Sequence, residues 1–226
     1  MIIENIIKSN KKLYTYVNPY TYLIAKKNEG IYKEFNIWSD GILITKIFNL
    51  FGYKIERKSF DISSMAPLIF ENAIKENKKI YIIGTKPELI SKAIGNIKKL
   101  FPNLNIIGYR DGYINKEEYN KVLINIKKLN PDIVICGMGA PLQEKFLYDL
   151  KNIGWNGIGY TCGGFLHQIA KKTIYYPDWV NRYHLRWLYR ICDEPKLLKR
   201  YLFYYPLGIL VLLKDLFIYK FYKKKS

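Results

Sequence analysis

The sequence predicts an α/β fold, a mostly parallel sheet with flanking helices, followed by a basic C-terminal segment. Three observations predict it. Short runs of consecutive apolar residues alternate with segments of helical period, as strands buried on both faces alternate with crossover helices. The helical segments are about three turns long, the length a parallel connection needs. Small or polar residues, often glycine, follow the strands, where a strand must turn into a helix.

Taken in order, "KLYTYVNPYTYLIAKKN" reads as an opening strand and helix, and "GILITKIFNLFGY" as another helix. "KKIYIIGTKPELISKAIGNIKKLFP" is a strand, a Gly-Thr-Lys-Pro turn, and a helix whose apolar positions are Leu89, Ile90, Ala93, Ile97 and Leu100. "LNIIGYRDGYI" is a strand and turn, "KEEYNKVLINIKKLNP" a helix, "DIVICGMG" a strand and "QEKFLYDLKNIG" a helix. "WNGIGYTCGGF" is a last short strand. The division that follows is a core over 1–171 and an appendage over 172–226.

Composition narrows the classes. A chain of 226 residues that is 49% hydrophobic buries one good core and is not a disordered chain. Cys136, Cys162 and Cys192 are widely spaced, with no CxxC, and read as reduced thiols of a cytosolic protein. The N-terminus lacks the basic-then-apolar order of a signal peptide, and no window holds about 20 uninterrupted apolar residues. The net charge of +18 calls for a polyanionic partner. Half of it lies between Lys171 and Ser226, where thirteen Lys/Arg stand against four Asp/Glu.

Ligands of such sheets sit beyond the carboxyl ends of the strands. Gly84-Thr85-Lys86-Pro87, the stretch Gly108 to Tyr113, and the stretch Gly137 to Glu144 all fall there. Turns of this kind offer backbone N–H groups and a helix N-terminus to a phosphate, and Lys86 adds a charge. None is a Walker or GxGxxG sequence, so ordinary βα turns remain the alternative. Asp40, between Trp38 and the apolar helix starting near Gly41, reads either as a helix N-cap or as a general base among apolar groups.

The most specific block is "PDIVICGMGAPLQEKF", from Pro131 to Phe146. With its Gly-x-Gly-x-Pro turn and Gln-Glu pair it resembles the WecG/TagA/CpsF glycosyltransferase family, glycosyltransferase family 26. Further blocks match in order from about Thr15 to Leu216: the Asn18 region, "SDG" at Ser39 to Gly41, "ER" at Glu56-Arg57, "GTKP" at Gly84, "DGY" at Asp111, "GG" at Gly163-Gly164, and "RWLYRICDEPKLLKRYL" from Arg186. The resemblance implies a Rossmann-like core with a helical C-terminal appendage that helps complete the active site and meets the membrane, and an inverting, metal-independent transferase without cofactor. It would move a sugar from a UDP-sugar, UDP-N-acetylmannosamine-like or UDP-hexose, to a polyprenyl-diphosphate-linked sugar in capsule, teichoic acid or related polysaccharide synthesis. It also implies a peripheral place on the cytoplasmic face of the cell membrane.

By that resemblance Asp40 is the base. Asn18, Arg57 and Gln143 line the acceptor or donor pocket, and Arg190 and Arg200 approach the diphosphate. Glu144 orients the donor or caps the following helix. Gly84, Thr85, Lys86 and Gly139 lie at the nucleotide. Tyr113 contacts its base or is a buried structural tyrosine. His167 stands where the family usually has an acid near the nucleotide, or is a core histidine.

Departures exist. Tyr16 occupies a position where the family often has Thr, "ERKSFDISSMAP" replaces a glycine-containing version, and Lys196 or Leu197 takes the place of a further arginine. The donor sugar is therefore left open.

The tail from Pro195 mixes apolar and aromatic residues with Lys196, Lys199, Arg200, Lys214, Lys220 and Lys223 to Lys225. It suits an interfacial segment on an anionic membrane surface; the alternative is a helix packed on the core with a solvated basic end. Pro206 is expected to interrupt any helix there. Two other classes were weighed. A dehydrogenase-like nucleotide enzyme lacks its glycine fingerprint. A non-catalytic basic module on nucleic acid or membrane leaves the ordered strand-end blocks unexplained, so no nucleic acid is expected as partner. A homo-oligomer is left open.

Overall fold

The computed structural model describes residues 2–8, 10–183 and 185–223. Its elements are α1 (Ile2–Ile7), β1 (Leu13–Val17), α2 (Pro19–Lys27), α3 (Glu29–Tyr32), β2 (Phe35–Ser39), α4 (Ile42–Leu50), α5 (Met65–Lys75), β3 (Ile80–Gly84), α6 (Pro87–Leu100), β4 (Ile106–Arg110), α7 (Lys116–Leu129), β5 (Ile133–Gly137), α8 (Leu142–Asn152), β6 (Ile158–Thr161) and α9 (Phe165–Lys171). The C-terminal segment adds α10 (Asp178–Arg182), α11 (Arg186–Asp193), a 3₁₀ turn (Pro195–Leu197), a π-helical turn (Arg200–Tyr204) and α12 (Tyr205–Lys223).

The six strands form one sheet in the order β2-β1-β6-β5-β3-β4, and every pairing is parallel. The pleat sends alternate side chains to opposite faces. Tyr81, Ile83, Val134 and Cys136 join a core under α1, α2, α3, α4, α7, α8 and α12, whereas Ile80, Ile82, Ile133 and Ile135 join a core under α5, α6 and α9. The α/β prediction is met, and β2, which had no sequence reading as a strand, completes the edge beside β1.

A reversal in the direction of the connections opens a crevice. The chain leaves β1 toward the first core through α2 and leaves β6 toward the second through α9, although β1 and β6 are neighbours. Two loops that part to opposite faces leave a gap at the C-terminal edge of the sheet between them. Further along the same edge, between β5 and β3, Gly84 packs so closely on Gly137 that a Cβ would lie 2.4 Å from its carbonyl oxygen.

The C-terminal segment does not break at Pro206. The N–H of Tyr205 bonds back to the carbonyl of Arg200, so a π-helical turn runs straight into α12. Pro206 is the second residue of α12, directly after the π-helical turn, where the regular i→i−4 ladder is already interrupted and a missing N–H is accommodated. Among the described residues, one stretch, Pro195–Phe221, is long and apolar enough to cross a membrane by length and composition. Its inner face belongs to the protein. Leu212 and Leu216 are fully buried in the first core, the Tyr22 hydroxyl donates to Asp215 at 2.7 Å, and Gly208 lies against the Pro19 carbonyl, where any Cβ would collide. The opposite face exposes Phe203, Leu207, Leu210, Phe217 and Phe221 in one stripe. Lys224 and Lys225 of the basic end lie outside the described residues.

Candidate active site

A cavity of about 760 Å³ occupies the crevice, floored by the ends of β1, β2 and β6 and roofed by the C-terminal segment. Asn18, Asp40, Arg57, Gly139, Gln143, Arg190 and Arg200 all line it.

Asp40 follows β2 directly. Its N–H donates to the Val17 carbonyl at 2.7 Å, extending the β1–β2 pairing by one residue. The N-cap position of α4 is held by Gly41 at φ 114, and no side chain caps that helix. The cap reading of Asp40 is therefore replaced: glycine makes the turn, and the carboxylate is released into the cavity. Burial raises the pKa of Asp40, and Asp61 acts in the same direction, while Arg57, Arg190 and Arg186 pull it down. A carboxylate so placed is a stronger base than one in water.

Arg57 reaches the cavity because a parallel bridge sets it beside Ser39, with the Lys58 N–H on the Ser39 carbonyl at 2.9 Å. Its Nη2 donates to Ser59 Oγ at 3.0 Å. Asn18 caps α2: Oδ1 accepts from the Thr21 N–H at 3.1 Å, and the Asn18 N–H donates to Thr21 Oγ1 at 2.8 Å. That commits its oxygen to the protein and leaves the amide NH₂ as the part available to a ligand.

Gln143 and Glu144, both buried, divide their work. Gln143 Oε1 accepts from the Gly163 N–H at 3.1 Å, and its Nε2 donates to Glu144 Oε1 at 3.0 Å. The same Glu144 oxygen accepts from Thr15 Oγ1 at 2.7 Å, and Thr161 Oγ1 donates to Thr15 Oγ1 at 3.0 Å. This network ties the start of α8 to β1, β6 and the Gly163-Gly164 turn. Glu144 itself does not line the cavity, and burial raises its pKa.

The roof brings cations. The Arg190 guanidinium stands 3.5 Å from Glu194 Oε1 and so close to Gly164 that a Cβ there would lie 3.4 Å from Nη2. Arg200 stacks on Tyr20, 4.3 Å from the ring centroid. Arg186, Tyr176, Trp187 and Tyr205 also line the cavity, and Asp61 stands beside Arg57. None of these five was a sequence candidate: Arg186, Trp187 and Asp61 lie in blocks that resemble the family but were not singled out there, and only the fold brings them to Asp40.

The other sequence-derived candidates lie outside the lining. Gly84 and Thr85 end β3, with the Thr85 N–H on the Gly137 carbonyl at 3.0 Å and the Gly112 N–H on the Thr85 carbonyl at 2.9 Å. Lys86, exposed, stands 3.6 Å from Glu88. Tyr113 is exposed, which removes the buried structural reading. Together they form a second group of turns along the same sheet edge. His167 is on α9, where burial lowers its pKa, with Lys171, Glu194, Lys196 and Asp193 as its charged surroundings. Among the described residues no group of three or more His, Cys, Asp or Glu side chains is arranged to hold a metal ion.

A parallel sheet whose carboxyl edge presents one carboxylate of raised pKa among arginines defines a Rossmann-like group-transfer enzyme. Sequence comparison gives the family. The model of the WecG/TagA/CpsF glycosyl transferase family matches residues 1–221, so the chain belongs to that family and is a glycosyltransferase. It is 37% identical to a UDP-Gal:alpha-D-GlcNAc-diphosphoundecaprenol beta-1,4-galactosyltransferase of Shigella boydii, over 91% of this chain and 92% of that protein. It is 27% identical to the N-acetylglucosaminyldiphosphoundecaprenol N-acetyl-beta-D-mannosaminyltransferase of Bacillus subtilis, over 82% of this chain and 73% of that protein.

Proposed function

We propose that the protein transfers a hexose, galactose first among candidates, from its UDP-sugar to N-acetylglucosamine linked through a diphosphate to a polyprenol. The observation that carries this reading is Asp40 in one cavity with Arg57, Arg190 and Arg200. The galactosyltransferase of Shigella boydii, similar along nearly the whole chain, supplies the substrate classes.

In the proposed step Asp40 takes the proton of the acceptor hydroxyl as its oxygen attacks the anomeric carbon. The bond from that carbon to the UDP oxygen breaks, and its electron pair leaves with the diphosphate. Arg190 and Arg200 meet the negative charge that develops there. Arg57 and the Asn18 amide hold sugar hydroxyls, and Gln143 fixes the Gly163 turn beneath them. The turns at Gly84 to Lys86, with Tyr113, serve the nucleotide. In this reading residues 172–226 complete the active site and meet the membrane. The bare apolar stripe of α12, with Lys199, Lys214 and Lys220 near it, lies in an anionic lipid surface on the cytoplasmic side. With Leu212 and Leu216 in the protein core, α12 lies on the bilayer and does not span it.

The test is transfer by the purified protein to a synthetic N-acetylglucosaminyl-diphosphoryl lipid, with UDP-galactose, UDP-glucose and UDP-N-acetylmannosamine offered separately. A hexose-extended product and released UDP are expected. Preference for N-acetylmannosamine would overturn the donor assignment. No transfer from any UDP-sugar would overturn the reaction.

A further inference from the structure

Asp61 lies in the loop between α4 and α5, one helical turn after Arg57 in sequence. Its carboxylate is held from two directions. From its own loop it accepts the Ser63 N–H at 2.9 Å, the Ser63 hydroxyl at 2.6 Å and the Ser59 hydroxyl. From the C-terminal segment comes Arg186, whose Nη1 reaches Asp61 Oδ2 at 2.7 Å and whose Nη2 reaches the Ser63 hydroxyl. Arg57 Nη2 stands 3.7 Å from the same Oδ2. The pair is largely withdrawn from water, with 13% of the Asp61 side chain and 18% of the Arg186 side chain exposed.

Besides this pair, ring contacts of Tyr189 with Tyr175 and Tyr176 and of Trp187 with Tyr201 hold this part of the roof. The helix α11, which carries Arg186 and Arg190, has no buried residue among those described, so apolar burial contributes little to its attachment. Its far end is tied by Asp193 to Lys171 at 2.9 Å and to the Tyr175 hydroxyl, a contact at the exposed rim. Exposed ion pairs are weak, whereas removing one partner of a sequestered pair is costly. Arg186 is also braced by the Tyr176 ring, 4.9 Å from its guanidinium carbon.

We propose that Asp61 is a positioning residue: it clamps Arg186, and with it the first turn of α11, onto the Arg57 loop, so that Arg190 is held beside Asp40. The inference rests on the glycosyltransferase reading of the cavity. An opposite role is conceivable on charge alone, in which the carboxylate fills an arginine site until a diphosphate displaces it. The geometry favours the clamp, because three of the contacts to Asp61 come from its own loop and fix the carboxylate independently of α11.

The experiment compares the full-length protein with Asp61→Asn, Arg186→Gln and the double variant. It reads UDP affinity by calorimetry, transfer kinetics, and amide hydrogen exchange over residues 186–193. Each single variant should weaken UDP binding about tenfold, the scale of one charge-assisted hydrogen bond. Exchange at 186–193 should accelerate while strands β3 and β5 stay protected. The double variant should be no worse than the poorer single one, because both remove the same contact. Asp61→Glu should restore part of the affinity, which a purely steric role would not allow. Unchanged UDP affinity and exchange in the single variants would overturn the clamp, as would additive losses. Tighter UDP binding by Asp61→Asn would establish the displaced-anion role instead. Arg186→Gln keeps the test decisive if Asp61→Asn does not fold. If the unaltered protein transfers from no UDP-sugar, the reaction assignment fails, while the exchange measurement still decides the clamp.

Discussion

The two walls of the cavity are held by different forces. On the sheet side the contacts are neutral hydrogen bonds anchored on backbone: Asp40 N–H to the Val17 carbonyl, Asn18 in the capping box of α2, and Gln143 on the Gly163 N–H. On the C-terminal side they are mainly charged: Asp61 with Arg186, Glu194 with Arg190, Asp193 with Lys171. In the proposed step the base is thus built into the edge of a parallel sheet, and the cations that would meet the leaving group come from the C-terminal segment. Salt screens the second kind of contact far more than the first. The chemistry of proton removal and that of diphosphate stabilisation should therefore be separable by mutation and by ionic strength.

The largest separation is expected at Asp40. Asp40→Asn should lower turnover at least about 100-fold, the usual scale for losing a general base, with UDP affinity unchanged. Its stability carries a sign. The folded carboxyl has a raised pKa, so its burial costs stability as pH rises from the ordinary carboxylate range through the folded value. Asp40→Asn should hence melt at or above the parent temperature at neutral pH, and the difference should shrink on acidification. A turnover like that of the parent would remove Asp40 from the mechanism.

On the other wall, Arg190→Ala should cost about 100-fold in turnover, comparable to removing one preorganised donor at a developing anion. Arg200→Ala should cost less, about tenfold, because its guanidinium is stacked on Tyr20 at the edge of the roof. Acceptor-lipid binding should change little in both. Normal turnover in both variants would make these arginines structural or lipid-facing.

The smallest catalytic effects belong to α12, where the two faces differ in kind. Leu212→Ala removes a fully buried side chain and should cost about 2–5 kcal/mol of stability in a denaturant titration. Leu210→Ala lies on the bare stripe and should stay within about 0.5 kcal/mol. It should weaken co-sedimentation with anionic vesicles, an effect that high salt only partly imitates. Equal destabilisation by the two would show that the helix lacks this division. A chain cut at Tyr201 should lose stability as well as vesicle binding, since the cut removes Leu212 and Leu216 from the core.

What was legible in the sequence follows the same division. The strands β3 and β5 could be read because both faces are buried and every position is apolar or glycine. The strand β2, "FNIWS", escaped because Asn36 and Ser39 interrupt its pattern. Both are buried and satisfied by hydrogen bonds, Asn36 with the Lys11 backbone and Ser39 with Thr45, which only the fold reveals. The residues of the sheet wall were found through strand-end motifs and family resemblance. Asp61, Arg186 and Tyr176 were not: the blocks "ERKSFDISSMAP" and "RWLYRICDEPKLLKRYL" matched the family without singling out Asp61 or Arg186, and the two sides of their cluster are more than a hundred residues apart. The expectation at Pro206 fails for a local reason: proline breaks a regular helix interior, but here it directly follows a π-helical turn that already interrupts the i→i−4 ladder.

The most direct test of the account is the pH dependence of turnover in the unaltered protein, Arg190→Ala and Asp40→Asn. With Asp40 as base, activity should rise with pH along an acidic limb whose apparent pKa lies above the ordinary carboxylate value. Removing the Arg190 charge, which stabilises the carboxylate, should move that limb further up. The residual rate of Asp40→Asn should show no such limb. A limb that persists in Asp40→Asn, or that fails to move in Arg190→Ala, would contradict a sheet-borne base working against segment-borne cations.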